Sequence, residues 1–354
     1  MKKVILNDKI NPLCLASSMG CRTYNGYDIN FNFSEVMDDC LRGKHPYQVS
    51  GNQKDGRGNI CPVTIIMPTL AMEADRDVEK FMILLDKKIH EARLMLKERF
   101  ELICSQSPES AKFMYENGTM LGYKPEEGIR SALKHGTLAI GQLGLAETLQ
   151  LLIGENQLTE NGMALAKRIE GLFKQRCAEF KNEDKLNYGV YYTPAENLCY
   201  TAMKKFKEKY GVIEKVSDKD FFTNSMHVPV WEKVSVFEKI DCESQLTGYS
   251  SAGCITYIEL DASAQHNIDA LETFVNYAMD KDIPYFAVNV PCDTCLDCGF
   301  AGEFNDCCPV CGSKHIQQLR RVTGYLTGDY KTAFNKGKQQ EVEERFQHTK
   351  KGRR

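Results

Sequence analysis

Four cysteines toward the C-terminal end are spaced to hold a metal ion. Cys295 and Cys298 form one Cys-x2-Cys pair, nine residues follow, and Cys308 and Cys311 form a second pair. Such a pair folds into a tight knuckle, and Gly299 and Gly312 stand directly after the second cysteine of each. Two facing knuckles put four thiolates at the corners of a tetrahedron, which suits Zn²⁺ and leaves no open coordination position. A closed site of that kind is structural, because nothing is left to bind water or substrate. Cys292 and Cys307 are spare thiols beside it, and only Cys308 keeps the x2 spacing to Cys311. An accidental cluster of free thiols is the competing reading.

The other chemically capable residues are ordinary when taken singly. The chain has 15 cysteines among 354 residues, and an odd number without a secretory leader does not suggest a disulfide framework. Cys40, Cys104 and Cys177 read as inert thiols. Cys21, after Gly20, is by itself one more thiol, and Gly324, thirteen residues past Cys311, is by itself a turn glycine. Asn59 in DGRGN reads as a loop residue. Glu196 in TPAE fits a capping box with Pro194 at the first helical position. His135 and His227 fit core or surface positions better than a phosphate site.

These residues must be positioned by a folded domain of some size. Hydrophobic residues make up 42% and charged residues 26%, with a formal net charge of -3, which fits a globular protein and offers no basic surface for nucleic acid. No apolar run is long enough to span a membrane. The start, MKKVILNDKINP, lacks the apolar stretch of a signal peptide, so the expected location is cytoplasmic. PVTIIMPTL (62–70) predicts a buried strand. A long helix should follow, with apolar positions at Val78, Phe81, Met82, Leu85, Ile89, Ala92 and Leu96. Residues 137–152 read as a short strand or turn running into a helix, Thr159 as the start of another helix, and TPAE as the start of a helix reaching Tyr210. ITYIEL (255–260) and YFAVNV (285–290) read as strands flanking a helix at 267–281. Strands alternating with helices predict an α/β fold with parallel strands. The polar stretch from Lys331 to Arg354 reads as an exposed helix or tail.

The run RRVTGYL (320–326), soon after CPVCGS, resembles the glycyl radical loop of the anaerobic (class III) ribonucleoside-triphosphate reductases. DTCLDCGFAGEF, TPAENLCYTAMKKFKEKYG, NSMHVPV and DGRGNICPVTIIMPTLA resemble the same family, and MGCRT resembles its thiyl-radical loop. The matches keep family order from about residue 10 to 350. The resemblance implies that Gly324 holds the stored radical and Cys21 the transient thiyl radical, and that Asn59 touches substrate. The physics is compatible. A glycyl Cα radical is stabilised by its flanking amide and carbonyl, glycine has no Cβ to hinder a planar centre, and thiols exchange hydrogen atoms reversibly.

The resemblance also implies a fold: the second half of a ten-stranded glycyl-radical-enzyme barrel, followed by the zinc ribbon and the radical loop. The expected domains are a half-barrel catalytic region at 1–290 with the thiyl loop near 19–23, the ribbon and radical loop at 291–330, and a polar tail at 331–354. The family's chains are roughly twice as long, so a separate N-terminal reductase fragment is expected to supply the first half-barrel. Further implied partners are a radical-SAM iron–sulfur activating protein, a ribonucleoside triphosphate substrate and a second copy in a dimer. A non-catalytic zinc-ribbon module and an inactive remnant of the reductase are the rival readings.

Overall fold

The structure is a computed structural model and describes residues 25–31, 56–304, 306–322 and 329–348. Cys21 and Gly324 lie outside the described residues. In chain order the first elements are β1 (Asn59–Ile66), α1 (Met67–Glu73), α2 (Val78–Cys104), β2 (Thr137–Leu143), α3 (Leu145–Ile153), α4 (Glu160–Asp184) and β3 (Asn187–Tyr191). Then come α5 (Glu196–Tyr210), α6 (Val236–Thr247), β4 (Thr256–Glu259), α7 (Ile268–Asp280) and β5 (Phe286–Asn289). The last are β6 (Cys292–Cys295), β7 (Ala301–Gly302), β8 (Ile316–Leu319), α8 (Tyr330–Ala333) and α9 (Lys336–Glu343).

Two compact units share these elements. One comprises Met1–Gln142, Leu165–Thr193 and Gly248–Cys254. Its sheet has the order β1-β2-β3, and β2 runs parallel to β3 from Thr137↔Asn187 to Gly141↔Tyr191. A parallel pair needs a crossover, and the helical segment of α4 supplies it. Phe81, Leu85, Ile89, Ala92, Leu96 and Phe100 recur every three or four residues and form the buried face of α2, the period of a helix with one side on a core. The Asp77 side chain caps α2 by accepting from the Lys80 amide at 2.8 Å. Ion pairs join α2 to α4 in step along both helices. Glu79 meets Arg168, Asp86 meets Arg176 at 2.6 Å, and Arg93 meets Asp184 at 2.8 Å. Rising numbers on both sides make the two helices parallel neighbours, as repeated strand–helix crossovers require.

The other unit comprises Leu143–Ala164, Pro194–Thr247 and Ile255–Arg354. Here β4 and β5 are parallel, from Thr256↔Phe286 to Glu259↔Asn289, with α7 between them in sequence. Val236, Ile240, Ile258, Leu260, Ala278 and Ile283 form the core beneath this pair. An antiparallel sheet of order β7-β6-β8 follows. The α/β reading with parallel strands is therefore correct. Among the described residues the strands group as three, two and three.

Three local expectations change. The apolar run at 62–70 does not continue as a strand, because Pro68 stands in the first turn of α1, where its fixed φ and missing N–H favour a helix start. TPAE is not a capping box. Helix α5 begins at Glu196 after Ala195 in the left-handed region, with no side-chain cap, and the Thr193 hydroxyl is engaged by Thr64 at 2.9 Å. The polar stretch after Lys331 is not simply solvated. Lys338 is fully buried, its Nζ 2.5 Å from Glu341, and Arg345 pairs with Glu259 at 3.0 Å. Charged residues hide well when each finds an opposite charge, and composition alone does not report that.

Candidate functional site

The two knuckles bring all four predicted cysteines together. Cys295 Sγ lies 3.6 Å from Cys311 Sγ, and Cys298 Sγ lies 3.6 Å from Cys308 Sγ. All four sulfurs fall within 4.8 Å of one another. Tetrahedral coordination with metal–sulfur bonds of about 2.3 Å gives sulfur–sulfur edges of about 3.8 Å, so the cluster fits a tetrahedral ion. Each knuckle is closed by a backbone bond from the glycine after it, Gly299 to Cys295 and Gly312 to Cys308, both 2.9 Å. Both glycines are left-handed, with φ of 75° and 71°, which a Cβ would strain. Electrostatics also favour a cation. Backbone amides of the first knuckle pull the Cys295 thiol down to about 7. The Ser313 amide lowers Cys311 too, yet the neighbouring thiols outweigh it and push that thiol up to about 12. Four thiols so close cannot all ionise without a positive ion among them.

The same small sheet frames the segment that carries Gly324. β6 pairs with β8, with Cys292 opposite Leu319 and Cys295 opposite Ile316. Asp293 is fully buried on β6. Its Oδ2 accepts from Arg320 at 3.0 Å and from the Phe304 amide at 2.9 Å, and its Oδ1 accepts a second Arg320 bond. Leu319 forms an antiparallel bridge with Asp329, so the chain enters and leaves the segment 323–328 at neighbouring points. Val322, 1% exposed, packs with Tyr330, Phe334 and Val342 just beside that bridge.

In the first unit a buried polar cluster holds the stretch four residues after Cys21. Asp28 Oδ2 lies 2.7 Å from His135 Nδ1, and Asp28 Oδ1 accepts from Asn187 Nδ2 at 2.7 Å. Burial raises the Asp28 pKa, but bonds from His135 and Asn187 and the Arg57 charge outweigh it and hold the carboxyl below its ordinary value. His135 is thus a core residue, as its sequence setting suggested. His227 is buried as well, its Nδ1 3.3 Å from Glu243, in the second unit. It lines a small cavity of about 40 Å³ with Lys239, Tyr257, Glu259, Arg345 and His348.

Asn59 opens β1. Its Nδ2 donates to Ala252 O at 3.2 Å, while its Oδ1 is buried with no hydrogen-bond partner among the described residues. It lines a cleft with Gly56, Ile60, Tyr115, Met120 and Gly136. Asp28 and Asn187 in the first unit, and Asp293 and Arg320 in the second, are buried or partly buried polar residues that sequence reasoning passed over. No spacing marks them, since each acts through a partner distant in the chain.

Comparison with known proteins now decides the family. A sequence model of the family described as anaerobic ribonucleoside-triphosphate reductase matches residues 3–348. The chain belongs to that family. The anaerobic ribonucleoside-triphosphate reductase of Salmonella typhimurium is 32% identical over 352 residues, covering 94% of this chain and 46% of the relative. The reductase of Enterobacteria phage T4 is 31% identical over 348 residues, covering 94% and 53%. A solved anaerobic ribonucleotide reductase superposes with a TM-score of 0.67 at 22% identity, over 84% of this chain and 46% of that one. The Thermotoga maritima enzyme with dATP in its specificity site gives 0.63 at 21% identity, over 79% and 44%. The chain therefore shares the reductase fold over the matched region, and it spans about half the length of the curated reductases it matches.

Proposed function

We propose that this chain is the C-terminal catalytic part of an anaerobic ribonucleotide reductase, converting ribonucleoside triphosphates to deoxyribonucleoside triphosphates by glycyl and thiyl radical chemistry. The observation that carries this reading is the Leu319–Asp329 bridge, which brings described residues on either side of 323–328 together beside the sheet whose strands and connections carry the four cysteines. Cys295, Cys298, Cys308 and Cys311 hold a zinc ion whose role is to lock that sheet. A structural metal fits a site with four protein ligands and no vacancy.

In this reading a radical-SAM activating protein removes a hydrogen atom from the Gly324 Cα. The radical passes to Cys21 when substrate binds. The Cys21 thiyl takes the 3′-hydrogen of the ribose, the 2′-hydroxyl leaves as water, and the hydrogen returns to C3′. Two electrons and two protons complete the reduction: a thioredoxin-like dithiol brings both protons with its electrons, and formate brings one, the other coming from solvent. Asn59 stands at the substrate through its buried side-chain carbonyl oxygen, which has no partner among the described residues and can accept from a ribose hydroxyl. A separate N-terminal polypeptide supplies the first half of a ten-stranded barrel, and the assembled cytoplasmic enzyme is a dimer. The short parallel sheets are consistent with a partner, since open strand edges invite pairing.

The test uses oxygen. A glycyl radical exposed to air breaks the chain at its own position. After anaerobic activation and exposure to air, mass spectrometry should find a new C-terminus at Gly324. An activated chain that stays whole in air, or a Gly324→Ala variant cut at the same place, contradicts the assignment.

A further inference from the structure

Helix α2 has three sides, and two of them are used within its own unit. Phe81, Leu85, Ile89, Ala92, Leu96 and Phe100 face the core. Glu79, Asp86 and Arg93 join the flank of α4 through their ion pairs. The third side carries Lys80, Ile83, Lys87, Leu94, Glu98 and Glu101, all exposed. Their spacings of three, four and seven residues set them in one row along the helix. Ile83 is 71% exposed and Leu94 65%. An exposed aliphatic residue by itself means little, and it is the charges around these two that give them meaning.

Those charges run against the helix dipole. A helix start favours carboxylates and a helix end favours ammonium groups. On this face Lys80 stands in the first turn and Glu101 in the last, where no basic residue is found. Lys80 is paired with Asp75 at 3.1 Å, and Glu101 is paired with Arg130. Lys87 and Glu98 make no ion pair among the described residues. The face is basic toward its start and acidic toward its end, with an apolar residue in each half. Such a row is complementary to itself when reversed. A two-fold interface uses the same patch twice, so each residue must find its match on the same helix. Let the axis cross α2 between His90 and Glu91, with the two copies antiparallel. Lys80 then stands opposite Glu101 of the second copy, and Lys87 opposite its Leu94. Ile83 reaches that Leu94, and Lys87 reaches Glu98 of the second copy, each one turn away. A parallel pairing would instead set lysine beside lysine and glutamate beside glutamate.

We infer that this face of α2 is a homodimer surface, on which a second copy of the same chain packs antiparallel. The inference gives a location to the dimer proposed above and rests on that dimer, not on the radical chemistry. At 27 residues the helix is about 40 Å long, enough for a seam of several turns. Ile83 and Leu94 form its apolar contacts, repeated by the symmetry, and the lysine–glutamate pairs set its direction.

The experiment follows self-association of the full chain by sedimentation over a concentration series. Leu94→Glu should weaken the dimer on the order of a hundredfold, because it puts a charge into both apolar contacts. Lys87→Glu and Glu98→Lys should each weaken it about tenfold, since the symmetry repeats each like-charge clash. The double variant Lys87→Glu with Glu98→Lys exchanges the signs and should return to within about threefold of the parent. All three positions are exposed, so the variants should melt as the parent does. Cross-linking with a carbodiimide gives a second readout. Along one helix Lys87 and Glu98 stand about 16 Å apart, so a peptide joining them forms only between copies. Mixing ordinary and ¹⁵N-labelled chain should yield that peptide as a hybrid. A dimer unchanged in Leu94→Glu, a double variant weaker than either single one, or a parent dimer without the hybrid peptide overturns the inference and leaves the dimer to another surface. A parent that stays monomeric at every concentration overturns the proposed dimer as well.

Discussion

Two stretches of chain bear the proposed radical residues, and their bases are built by different chemistry. The Gly324 segment springs from a small antiparallel sheet whose strands are short, four residues for β6 and two for β7. Its core is slight: Phe304, Cys295 and Cys308 with Ile316 against them. So small an apolar core gives a sheet little support, and in the proposed reading metal coordination supplies the cross-link. The Cys21 stretch springs from a large unit with a continuous core, where β2 and β3 are buried along their whole length. There a buried carboxylate with directed partners holds segment 25–30 to the turn before β2 and the start of β3. Each base nevertheless uses one fully buried aspartate, Asp293 or Asp28, to bind a basic or imidazole side chain beside the loop. The first base rests on a short sheet with a four-cysteine cluster and one buried ion pair, the second on a large core with a buried carboxylate among several donors.

Metal removal should separate the two most sharply. Chelation, or Cys308→Ser, should strip hydrogen-exchange protection from β6 to β8 and abolish the Gly324 doublet. Binding energy at such a site is folding energy, on the order of 10 kcal/mol. Protection in β2 and β3 should be untouched. Equal loss in both regions would mean that the ribbon is no separate frame. Next in size is Arg320→Met. Asp293 would keep a buried charge without its partner, which costs about 3–5 kcal/mol. Exchange at Leu319 and Asp329 should rise with the metal still bound. If those amides stay protected, the metal alone holds the base.

The smallest effect concerns a buried carboxyl in the large unit. Glu170 is fully buried, and Gln142 Nε2 donates to it at 2.8 Å. Burial pushes its carboxyl up to about 8. A raised carboxyl binds its proton more tightly folded than unfolded, so between the ordinary range near 4.5 and about 8 the folded state holds more protons. Stability contributed by the neutral form is therefore present at low pH and falls as pH rises across that window. Glu170→Gln should raise the melting temperature at pH 8 relative to the parent and change it little at pH 4.5. A melting temperature at pH 8 no higher than the parent's would contradict this.

Much of this architecture was legible beforehand. The period of Phe81 through Leu96 marked α2, and ITYIEL and YFAVNV marked a parallel pair, because apolar periodicity reflects burial directly. The cysteine spacing marked the metal site, because both knuckles are local in sequence. Asp28 and Asp293 were invisible for the opposite reason. Asp28 meets partners more than 100 residues away, and Asp293 meets Arg320 across 27. Lys338 misled, since a lysine in a polar run reads as solvated until its burial against Glu341 is seen. The cap at Glu196 failed because Pro194 precedes the helix instead of opening it.

The most direct test of the account is electron spin resonance with product analysis on three forms: the parent, Cys21→Ala and Gly324→Ala. Each is combined with the complementary fragment and activated without oxygen. The account predicts a doublet and deoxynucleotide from the parent, a doublet without product from Cys21→Ala, and neither from Gly324→Ala. Product from Cys21→Ala, or a doublet from Gly324→Ala, would contradict it.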